Sequence, residues 1–107
     1  MTDLAAARAR FLKDPPATRL GNLASDLLRL STWVTVRRPD ARVIDLMTQV
    51  ASMLDWTGDL ASEELADMQR EICRWRRIWP DEKARSLLIL RARQRADRAV
   101  EMSGIYT

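Results

Sequence analysis

Histidine is missing from the 107 residues, and the only cysteine is Cys73. Without histidine the side chain that titrates near neutral pH is lost, so neither a Ser-His-Asp nor a Cys-His catalytic arrangement can be built. One cysteine allows no internal disulfide, and a structural zinc site needs four Cys or His ligands. Three glycines are too few and too scattered for a phosphate-cradling loop, a dinucleotide fingerprint or a calcium loop. No apolar run is longer than Leu87-Leu88-Ile89-Leu90, far below the ~20 residues that span a bilayer, so no membrane insertion is expected. The stretch from Met1 to Leu12 carries Arg8 and Arg10 but no apolar segment of the secretory type. A single soluble domain over 1–107, cytoplasmic, non-enzymatic and without cofactor or metal, is the expectation.

What the chain does have is helical periodicity between prolines. Thr2 or Asp3 caps a short helix to about Leu12, and Pro15-Pro16 ends it. From 17 to 36, Leu20, Leu23, Ala24, Leu27, Ser31 and Val34 recur on one face. From 39 to 57, Val43, Met47, Val50, Ala51 and Leu54 do the same, and Ile44, Leu46 and Met53 widen the stripe, as expected for a helix with neighbours on two sides. Gly58 suits a left-handed C-cap, and Asp59 or Ser62 suits the next N-cap. From 60 to 79, Leu65, Met68, Ile72, Trp75 and Trp79 form a strict 3-4-3-4 seam. Pro80 turns the chain, and a last helix runs from 80 to 103, stopped by Gly104. These signals predict an all-α fold, an antiparallel bundle of four long helices plus the short N-terminal one.

Charge is lopsided in kind rather than in sum. Sixteen arginines and two lysines face fifteen acids, for a net charge of +3. Arg70, Arg74 and Arg77 form a stripe opposite the 65–79 seam, and Arg91, Arg95 and Arg98 form another beside the small face of Ala92, Ala96 and Ala99. Such stripes are a candidate basic surface for nucleic acid. The competing reading is a solvated face laced by local pairs, with Asp67–Arg70, Glu71–Arg74, Glu82–Arg85 and Arg93–Asp97 at helical pairing distances. No aromatic residue interleaves the arginines to stack bases.

Leu30 and Trp33 lie off the main apolar face of their helix, next to Arg37, and Leu87 and Leu90 are further apolar residues in excess of a small core. Leu30, Trp33, Arg37, Leu87 and Leu90 therefore form the candidate partner surface, Trp and Arg being favoured at binding hot spots. Cys73 reads as an inert small hydrophobe. Glu63, Glu64, Asp67 and Glu71 read as a solvated acidic face, with no Glu-x-x-His partner for a di-iron site.

Several strings resemble an uncharacterised family of small helical proteins from cyanobacteria: Arg19-Leu-Gly-Asn-Leu-Ala-Ser25, Asp55-Trp-Thr57, Leu60-Ala61 with Leu65, Met68-Gln69 and Trp75, and Glu101-Met-Ser-Gly104. The resemblance covers about residues 19–105. It implies a cyanobacterial source and a cytoplasmic or thylakoid-associated setting, and it brings no activity and no site residue. The expected function is thus a protein–protein interaction module that binds another protein or itself as a homodimer. Nucleic-acid binding through the arginine stripes is the alternative.

Overall fold

A computed structural model describes residues 3–107; Met1 and the proposed Thr2 cap lie outside them. The described chain is five α-helices: α1 Leu4–Lys13, α2 Pro16–Thr35, α3 Asp40–Asp55, α4 Glu63–Ile78 and α5 Arg85–Ile105. Short 3-10 turns at Gly58–Leu60 and Glu82–Ala84 precede α4 and α5. Asp3 caps α1 by accepting from the amides of Ala5 and Ala6, and Ser62 caps α4 by accepting from Leu65. Pro15-Pro16 both ends α1 and opens α2: Pro16 occupies the first turn of α2, where its missing N–H leaves no bond unmade.

The four long helices run up-down-up-down. α2 packs most closely on α5 and also on α3, and α3 packs on α4. Bonds along each seam set antiparallel registers: Ser31 Oγ donates to the Ile89 carbonyl at 3.1 Å, Gln49 Nε2 to Asp26 at 2.7 Å, and Trp79 Nε1 to Asp40 at 3.1 Å. The predicted apolar stripes of α2 and α3 are buried, as is the whole Leu65–Met68–Ile72–Trp75–Trp79 seam. On α5, Ala92, Ala96 and Ala99 are buried, and their small side chains allow the close approach of α2. The helix α1 caps one end, with Phe11 buried and its ring 5.6 Å from that of Trp56.

Two glycine assignments are corrected. Gly58 has no positive φ; it opens a 3-10 turn, and the left-handed residue there is Ala61, at φ 49°. Gly104 does not stop α5, which runs through it to Ile105. The other left-handed position is Arg37, at φ 56°, where α2 hands over to α3. A side chain in that region is uncommon, and the turn imposes it: only the four residues 36–39 separate the last residue of α2 from the first of α3.

Candidate interaction surfaces

The six arginines of the two stripes meet different fates. Arg91 and Arg95 both reach across from α5 to Glu71 on α4, at 2.9 and 2.8 Å. Arg98 holds Glu64 of α4 with both Nε and Nη2 and also reaches Glu101 on its own helix. Arg70 pairs with Asp67. Among the described residues, Arg74 and Arg77 alone of the six have no ion pair, and both are exposed. The Glu71–Arg74 pair anticipated from spacing is not made, because Glu71 is spent on α5, and the Arg93–Asp97 pair is not made either. The α5 stripe is therefore a ladder of interhelical ion pairs more than a free basic surface.

Electrostatics follow from this geometry. Burial alone pushes the Glu71 carboxyl up, but hydrogen bonds and charge from Arg95 and Arg91 outweigh it and hold the group below its ordinary 4.5. The Arg98 hydrogen bond holds Glu64 low, and Glu64 and Glu101 in turn push the Arg98 guanidinium up.

The apolar candidates divide as well. Leu30 is fully buried, so it is removed from the candidate partner surface. It lies on the side of α2 that faces α3, and a helix with two bundle neighbours buries an arc wider than its main stripe. Trp33 is half-buried against the core, and what lies over its ring is the Arg38 guanidinium, 5.9 Å from the centroid. Arg37 is exposed, and its Nη1 donates to Glu82 at 2.9 Å. Glu82 also accepts from Arg85, which reaches the Val34 carbonyl at 3.0 Å and lies over the Trp79 ring at 4.8 Å. Arg37 thus helps to tie the α2–α3 turn to the α4–α5 turn. Hydrogen bonds from Arg85 and then Arg37 hold the Glu82 carboxyl low.

Leu87 and Leu90 stay exposed, at 60% and 52%. The antiparallel register that puts Glu71 between Arg91 and Arg95 carries Ile78, two turns on along α4, towards the turn of α5 that holds Leu87. Ile78 is itself 42% exposed. Cys73 is half-buried against the core.

Three features were not anticipated. Arg19 is buried and holds Asp59 through Nη1 and Nη2 at 3.0 Å each, gives Nε to the Asp14 carbonyl, and lies 6.0 Å from the Phe11 centroid. That hydrogen bonding holds the Asp59 carboxyl low. Asp26 is buried beside Gln49, with Arg29 at 3.4 Å. A groove of about 840 Å³ opens between α1, α2 and α3, lined by Phe11, Asp26, Asp45, Gln49, Met53 and Trp56 among others, and a smaller cleft of about 350 Å³ lies between α1 and α3. The sequence signal for Arg19 is its place at the edge of the α2 stripe, one residue before Leu20; nothing local points to Asp59, forty residues on.

Among the described residues no helix is long and apolar enough to cross a membrane. No protein-family model, curated protein or solved structure matches the chain.

Proposed function

We propose that this bundle is a non-enzymatic protein–protein interaction module, able to self-associate, that presents the outer face of the α4–α5 hairpin to its partner. The observation that carries the reading is the exposure of Leu87 and Leu90, one turn apart on α5, a helix whose opposite face supplies the core. Isolated exposed leucines are ordinary, but a grouped apolar patch on a small domain is a feature of binding surfaces. The competing nucleic-acid reading loses support because Glu71, Glu64, Glu101 and Asp67 already neutralise four of the six stripe arginines.

The test pairs two measurements. The Leu87→Asp, Leu90→Asp double variant keeps its helical circular dichroism and loses partner capture or self-association, because both side chains already face water. A labelled oligonucleotide read by fluorescence anisotropy binds weakly and is released near physiological salt. If all six stripe arginines met phosphates, log K against log salt would instead slope at about −4 to −5. Tight oligonucleotide binding at 150 mM salt, with association unchanged in the double variant, reverses the ranking.

A further inference from the structure

Four helix ends meet at one pole of the bundle: α2 and α4 finish there, and α3 and α5 begin. Three bonds fix the junction: Trp79 Nε1 donates to Asp40 at 3.1 Å, Arg37 to Glu82 at 2.9 Å, and Arg85 to the Val34 carbonyl at 3.0 Å. The positive charge of the molecule is concentrated at this pole. Residues 36–42 and 76–85 hold seven arginines or lysines and three acids, a net +4, whereas the whole chain is +3, so everything else sums to −1. Two helix N-termini and two C-termini lie side by side here, so their dipoles oppose one another and the field is that of the side chains.

The three acids of the pole are already engaged. Glu82 is shared by Arg37 and Arg85, Asp40 accepts from Trp79, and Asp81 accepts from the Lys83 amide. Among the described residues Arg38, Arg42, Arg76, Arg77 and Lys83 make no ion pair, and all but Arg76 are exposed. Apolar residues lie between them: Val36 is 60% and Ile78 42% exposed, and Pro39 and Pro80 face water too. Unpaired cations around exposed apolar tips suit a surface that lies on a membrane, where the cations meet anionic headgroups and the apolar side chains enter the boundary with the acyl chains. The shape agrees. The pole is built from turn tips, and both clefts of the fold lie beside α1, away from it. A convex end suits an adaptable planar surface better than it grips a peptide. Nucleic acid would use the cations but not Val36 and Ile78, and no ring is open to a base, since Arg38 lies over Trp33 and Trp79 is buried.

We propose that this pole docks the bundle on anionic membrane surfaces, with Arg38, Arg42, Arg77 and Lys83 on the lipid headgroups and Val36 and Ile78 dipping among them. The contact is peripheral and needs no spanning helix. It uses neither Leu87 nor Leu90, so it is independent of the α4–α5 partner face.

Co-sedimentation of the full chain with vesicles provides the test, in about 0.1 M salt, comparing pure phosphatidylcholine with phosphatidylcholine that holds about 30% phosphatidylserine. Binding to the anionic vesicles is tighter by about tenfold or more, and equal binding, or none, overturns the proposal. The Arg42→Gln, Arg77→Gln, Lys83→Gln variant breaks no ion pair, so it keeps its helical circular dichroism. It binds the anionic vesicles about a hundredfold more weakly, each cation near the surface being worth about fivefold. Arg8→Gln, Arg10→Gln, Lys13→Gln removes the same charge from the α1 end and changes binding by less than about threefold, because that end lies beyond the screening length. Equal losses in the two triple variants mean that net charge alone attracts the chain, and they reject the pole. Val36→Ser, Ile78→Ser weakens binding by about fivefold or more, and unchanged binding rejects the apolar contact and the proposal with it. An oligonucleotide that binds more tightly than the anionic vesicles in the same salt, and is lost in the Arg42, Arg77, Lys83 variant, assigns the pole to nucleic acid and overturns the membrane reading.

Discussion

The helix α5 meets its two neighbours in opposite ways. Against α2 it offers Ala92, Ala96 and Ala99, and the two backbones come close enough for Ser31 to donate directly to the Ile89 carbonyl. Against α4 it offers Arg91, Arg95 and Arg98, which bridge a wider gap to Glu71 and Glu64. The alanine seam is dry and non-directional, so its strength tracks area and fit. The arginine seam is charged and half-wet, so its strength depends on pH and salt and is partly offset by desolvation. One helix therefore carries a rigid side and an adjustable side.

The largest effect is expected on the alanine seam. Ala96→Leu adds three carbons where the residue is 4% exposed, forcing α2 and α5 apart. Denaturant unfolding should show a loss of about 1–3 kcal/mol or more, as for overpacked cores. A loss below about 0.5 kcal/mol would mean that the seam is as yielding as the charged one.

The charged seam should respond less strongly to Glu71→Gln, by about 1–2 kcal/mol, since Arg91 and Arg95 are 34% and 20% exposed and can re-solvate. Its pH signature is distinct. The Glu71 carboxyl sits below its ordinary 4.5 in the folded chain, so the unfolded chain binds its proton first. The stabilisation is present above pH 4.5 and is lost as pH falls through the lower folded value. Wild-type stability should fall in that acid window, and Glu71→Gln should flatten the part of the fall that Glu71 causes. Identical acid profiles for the two proteins would remove Glu71 from the account.

The smallest effect is expected from Asp67→Asn, which removes a pair whose side chains are 63% and 67% exposed. The expected change is below about 0.5 kcal/mol and is abolished by 1 M salt. A larger, salt-resistant loss would place Asp67 in the ladder beside Glu64.

Much of the fold was legible because helical periodicity and chain punctuation are local. The 3-4-3-4 seam of α4 and the stripes of α2 and α3 are buried as their spacing predicts. Helix ends were legible to within a few residues where a proline or an Asp or Ser cap marked them, as at Asp3, Pro16 and Ser62. Gly58 and Gly104 misled because glycine permits a left-handed turn without requiring one. The surfaces were less legible. Leu30 looked surplus to a stripe drawn for one contact face, yet α2 has both α3 and α5 beside it. Glu71 was assigned to Arg74 because i,i+3 spacing is visible in one dimension.

Periodicity, caps and prolines by themselves determined that this chain forms helices, which face of each is apolar, and that the connections are too short for anything but antiparallel neighbours. Only the tertiary structure decided which charges meet. Whether Glu71 faces Arg74 or Arg91 depends on the rotation and register of α4 against α5, and those are set by all the buried side chains packing together. The same holds for Arg19 and Asp59, forty residues apart, and for the left-handed Arg37 and Ala61. A turn adopts the dihedral angles that its two helices demand, whatever residue occupies it, when packing the helices is worth more than the local strain.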